Sequence, residues 1–140
     1  MFNKILVAID GSEGSKKALT VAIALAAKLG AELHSISVIE RSSHLVATVG
    51  EAMEEREETS KYFEKVIAEA RAQAEQQGME LKCEIRTGHE VETIARYTHD
   101  FHFNLLVIGF MGHSRVFDRL WGGTSQNLAK TSPCSVLVVK

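Results

Sequence analysis

Three short segments combine residue types and spacings that could hold a ligand. The most informative is Gly109-Phe110-Met111-Gly112, nine intervening residues, then Gly122-Gly123-Thr124-Ser125. Gly109 and Gly112 follow an apolar strand-like run, where a side chain would obstruct a ligand approaching the backbone. Gly122 and Gly123 lead into a helix, whose free N–H groups and positive dipole end favour a phosphate. Thr124 and Ser125 supply hydroxyls, either as further donors or simply as an N-cap. The second segment is Asp10-Gly11-Ser12, in which Asp10 is either a ribose or metal ligand or a plain strand-end turn residue. The third is Val38-Ile39-Glu40 at the end of another strand-like run. Arg115 and Arg119 could neutralise a polyphosphate, or simply be solvated loop arginines. Neither GxGxxG nor GxxxxGK[ST] occurs, so a lysine-bearing phosphate loop is not expected.

The elements that must position these segments follow from periodicity. Phe2 to Ile9 and Leu105 to Ile108 are apolar runs typical of buried parallel strands, the second expected centrally in the sheet. Glu32 to Glu40, Met79 to Arg86 and Ser135 to Lys140 read as three further strands. Between the first two strands, Ala18, Ala22, Leu25 and Leu29 form the stripe of a helix capped by Ser12 or Ser15 and ended by Gly30. Glu51 to Gln77 is a long helix with apolar Phe63, Ile67, Ala70 and Ala74, its many charges a solvated face. A shorter helix starts at Thr87-Gly88, and Thr124 to Lys130 forms the last. Residues 41–50 are a loop of undetermined form. Strands alternating with helices predict an α/β fold: an open five-stranded parallel sheet, Rossmann-like, with helices on both faces and ligands beyond the carboxyl ends of the strands. The final apolar strand at a sheet edge predicts a homodimer through that strand.

Composition limits the alternatives. The 140 residues have a formal net charge of -2 and are 45% hydrophobic, as expected of one domain over residues 1–140. No basic stripe is present to recruit nucleic acid. No apolar run approaches the ~20 residues of a membrane span, and no leader is visible, so a cytoplasmic location is expected. Cys83 and Cys134 are far apart and outside any CxxC pair, and are expected to be inert buried thiols.

The glycine segment, the opening KILVAIDGSEGS and the closing PCSVLVVK together resemble the universal stress protein family, from Lys4 to Lys140. The resemblance implies an adenine nucleotide alpha hydrolase-like fold, dimers often formed through the last strand, and, in the glycine-motif branch, binding of ATP or AMP. By position it implies that Ala8 and Asp10 lie near the ribose and phosphates and that the backbone of Val38 meets the adenine. Gly109, Met111, Gly112, His113, Ser114 and Arg115 would form the loop around ribose and phosphate, and Gly122, Gly123, Thr124 and Ser125 would hold the phosphates. Asp10 would reach Mg or Mn through the nucleotide phosphates. The family usually places Ser or Thr directly after the third glycine; Gly123 stands there, so a hydroxyl contact is lost while the backbone N–H remains. The resulting expectation is a nucleotide-binding regulator of stress physiology, read by a protein partner that the sequence does not identify. A slow metal-dependent ATPase or phosphotransferase is the second reading, although no side chain stands out as its base. A nucleotide-free dimeric interaction module is the third.

Overall fold

The computed structural model describes residues 1–40, 48–110 and 123–140. Five strands, β1 (Lys4–Ala8), β2 (Glu32–Ile39), β3 (Leu81–Thr87), β4 (Leu105–Gly109) and β5 (Ser135–Val139), form a parallel sheet in the order β3-β2-β1-β4-β5. The described helices are α1 (Glu13–Leu29), α2 (Val49–Gln76), α3 (Glu90–Asp100) and α4 (Gly123–Thr131). The chain winds from β1 outward to β3, then returns across the sheet to β4 and continues to β5. The order therefore reverses between β1 and β4, which opens a crevice above their carboxyl ends.

Strand alternation sends side chains to two cores. Ile5, Val7 and Leu33 meet Ala18, Ala22 and Ala26 of α1 and Ala70 and Ala74 of α2 on one face. Leu6, Ile36, Leu106 and Ile108 meet Ile94 and Tyr97 of α3 and Leu128 of α4 on the other. Leu105 to Ile108 are buried because β4 has strand neighbours on both sides. The middle strand is β1, however, and β4 lies between it and the edge strand β5. The half-buried residues of β5 fit its edge position.

Several element ends differ from the sequence expectation for identifiable reasons. Helix α2 begins at Val49, two residues early, because the Thr48 side chain accepts from Glu51 N at 3.1 Å. Strand β3 begins at Leu81, since Met79 N still donates to Ala74 O as the chain leaves α2. Helix α3 starts at Glu90 rather than at Thr87-Gly88: Gly88 N donates to Ile39 O and so prolongs the sheet pairing. Both cysteines are free and only half-buried, which corrects the expectation of buried thiols. Cys83 lies on edge strand β3, and Cys134 immediately precedes edge strand β5.

Candidate functional site

A cleft of about 740 Å³ opens at the strand-order reversal, floored by apolar Ile36, Val38, Ile94, Ile108 and Leu128. Four elements place polar groups on its rim.

Beyond β1, Ala8 and Asp10 line the cleft. Asp10 Oδ1 accepts from Ser12 N at 2.9 Å, and Asp10 N donates to Ser15 Oγ at 3.2 Å. Ser12 in turn caps α1, accepting from Ser15 N at 3.2 Å. This turn fixes the Asp10 carboxylate through one oxygen and leaves the other without a hydrogen bond among the described residues. The Tyr62 hydroxyl of α2 donates to Asp10 O at 2.5 Å.

On β2, alternate peptide groups turn to alternate neighbours. Ile9 N donates to Ile36 O, and Gly88 N donates to Ile39 O. Val38 thus turns its N–H and C=O to the β1 side, where strand pairing has already ended at Ala8 and Ile36. Two residues on, Glu40 Oε1 accepts from Glu90 N at 2.8 Å. It supplies the cap that His89, which makes no side-chain cap bond, does not. The Glu90 carboxyl is pushed up to about 7, first by burial, then by the charges of Asp10 and Glu40, with His89 opposing.

From β4 and α4 come Gly109, Gly123, Thr124 and Ser125. A Cβ on Gly109 would lie 2.6 Å from the Gly14 carbonyl carbon and oxygen. Glycine here admits the first turn of α1 against the end of β4, whereas the sequence reading had it clear space for a ligand. Ser125 Oγ donates to Gly109 O at 2.8 Å, tying the start of α4 to the end of β4. The Ser125 hydroxyl proton is therefore used within the fold, while the N–H groups opening α4 have no intrahelical acceptor. A Cβ on Gly123 would meet nothing within 4 Å among the described residues.

The structure thus brings Ala8, Asp10, Val38, Gly109, Gly123, Thr124 and Ser125 to one cleft. Met111, Gly112, His113, Ser114, Arg115 and Gly122 lie outside the described residues, as does Arg119. Tyr62 and Glu90 also line the cleft and were not singled out from the sequence. A tyrosine on a charge-rich helix and a glutamate in a first helical turn carry no local signal of a site. Among the described residues no group of three or more His, Cys, Asp or Glu is placed to hold a metal ion. Asp10 could contribute one carboxylate to a metal, the remaining ligands coming from a bound phosphate. No helix of the described residues is long and apolar enough to cross a membrane.

The model of the universal stress protein family matches residues 1–140. The chain belongs to that family. Universal stress protein YxiE of Bacillus subtilis is 32% identical over 148 residues, covering 100% of both chains. Universal stress protein UspA from Lactobacillus plantarum superposes with a TM-score of 0.88 at 22% identity, over 99% of this chain and 98% of that one. A universal stress protein in complex with cAMP gives a TM-score of 0.76 at 24% identity, over 99% and 97%. A family member from Arabidopsis thaliana with AMP bound gives 0.70 at 17%, over 99% and 91%. These likenesses show the shared fold.

Proposed function

We propose that this universal stress protein binds an adenine nucleotide, ATP or AMP, in the cleft between β1 and β4. The carrying observation is the pairing of an apolar floor with the N-terminus of α4 at one rim. A volume of about 740 Å³ suits a nucleotide-sized ligand. In this reading the base lies on the apolar floor and bonds the outward N–H and C=O of Val38. The second carboxylate oxygen of Asp10 accepts from a ribose hydroxyl, with Ala8 beside it. The phosphates sit at the N–H groups of Gly123, Thr124 and Ser125, where the dipole of α4 favours negative charge. By their position in the family's glycine motif, Met111, Gly112, His113, Ser114, Arg115 and Gly122, which lie outside the described residues, are proposed as further nucleotide contacts beside Gly109. A Mg or Mn ion would bind through the phosphates and Asp10. The adenine nucleotides held by two proteins of the same fold support this reading.

The biological reading is a cytoplasmic stress-response regulator working as a homodimer through β5. Regulation requires a protein partner that prefers the nucleotide-bound or the empty state, since a ligand shifts an equilibrium only by its differential affinity.

The reading is tested by mass spectrometry of the small molecules released when freshly purified protein is denatured, followed by titration of the stripped protein with ATP, AMP and cAMP. Co-purifying adenine nucleotide and rebinding at micromolar concentration are expected. Absence of both would reject the nucleotide site and leave the dimeric interaction module.

A further inference from the structure

The long helix α2 is anchored unevenly. Its buried side chains are Phe63, Ala70 and Ala74, all from the middle or the C-terminal half. From Val49 to Tyr62 no side chain is buried. Beneath the α1 and α2 layer, the buried hydroxyls of Ser35 and Ser37 have no hydrogen-bond partner among the described residues. A helix half with so few apolar contacts opens at low cost.

A hydrogen bond ties this half of the helix to the Asp10 turn at the cleft. The Tyr62 hydroxyl donates to Asp10 O at 2.5 Å, and its ring meets Phe63 edge-to-face at 5.1 Å. The turn is shaped to receive it: Gly11 has φ +84°, and a Cβ there would overlap the Tyr62 hydroxyl oxygen and touch Val66. Partial desolvation, then the charges of Asp10 and Glu69, raise the phenol above its ordinary range, which favours its role as a donor. Glu58, Thr59, Tyr62 and Phe63 line the same cleft as Asp10. A ligand in the cleft would therefore meet both the Asp10 turn and α2, which Tyr62 already joins.

We propose that Tyr62 is a latch that couples occupancy of the cleft to docking of the N-terminal half of α2. Tyr62 is in this sense a positioning residue: it holds Asp10 from behind through the backbone. The proposal rests on the nucleotide reading of the cleft. Binding that orders the Asp10 turn fixes the acceptor of the Tyr62 hydroxyl, and docking of α2 presents the donor, so each favours the other.

The test is amide hydrogen exchange over residues 50–66, with and without saturating AMP, in the wild type and in Tyr62→Phe. AMP is expected to slow exchange in this half of α2 by roughly 10-fold in the wild type and by less than about 2-fold in the variant, although both are saturated. Exchange in the central strands should be alike in the two proteins, which a general loss of structure would not allow. Equal slowing in the variant would overturn the latch. Wild type that binds AMP with unchanged α2 exchange would overturn the coupling and leave the cleft reading standing. Wild type that binds no nucleotide would overturn both. A second pair guards against a folding defect: Gly11→Ala should lower Tm less in a Tyr62→Phe background than alone, because Phe lacks the oxygen that the new methyl meets. Equal losses in both backgrounds would also overturn the latch.

Discussion

Asp10, Glu40 and Glu90 show how a carboxylate's position decides its role. Asp10 holds a turn with one oxygen and offers the other to the cleft. Glu40 caps a helix. Glu90 is held near neutrality by burial and by those two neighbours. Its folded pKa of about 7 against an ordinary 4.5 means that the folded chain binds the proton more tightly than the unfolded one. Stability from this group is full below pH 4.5 and is lost as the pH rises towards 7. Glu90→Gln, which mimics the neutral acid, should therefore stabilise the protein at pH 8 by roughly 1–3 kcal/mol, the gain fading towards pH 5. Thermal melts of both proteins across that range check it, and a difference independent of pH would contradict it.

At the scale of elements, α3 depends on a residue fifty positions away. His89 offers no cap, and Glu40 at the end of β2 accepts from Glu90 N instead. Glu40→Ala should cost about 1 kcal/mol and speed exchange in the first turn of α3, as measured by denaturant titration and hydrogen exchange. Unchanged stability would mean that water caps the helix equally well. This non-local cap also explains which element ends could be read from the sequence. The buried strands were legible because apolar runs such as Leu105 to Ile108 are self-evident, and α1 because Ser12 caps it locally. The start of α3 was not, since its cap is distant in sequence. The reason for Gly109 was equally hidden, because it lies in the approach of Gly14 from another element. Of the cleft, Gly109 and Asp10 were visible as strand-end residues and Gly123 as the opening of a helix, whereas Tyr62 gains its place only when α2 folds back over the Asp10 turn.

For the whole molecule, the proposed nucleotide would sit at the reversal of strand order between β1 and β4, and the proposed second copy would add at β5, the edge strand among the described residues. The half-buried valines of β5 would be covered by an antiparallel or side-by-side partner strand. Sedimentation should report two chains per particle at micromolar concentration, and a monomer at all concentrations would contradict the dimer. The central claim is that the start of α4 holds a phosphate. Gly123 tests it, since a Cβ there meets nothing within 4 Å among the described residues. Aspartate at a helix N-terminus favours the helix by about 0.3–1 kcal/mol, yet repels a bound anion. The decisive measurement is calorimetric titration of AMP and ATP into stripped wild type and Gly123→Asp. Affinity is expected to fall at least roughly 10-fold, more for ATP than for AMP, with Tm unchanged or raised. Equal affinity in the two proteins would place the phosphates elsewhere and contradict the account.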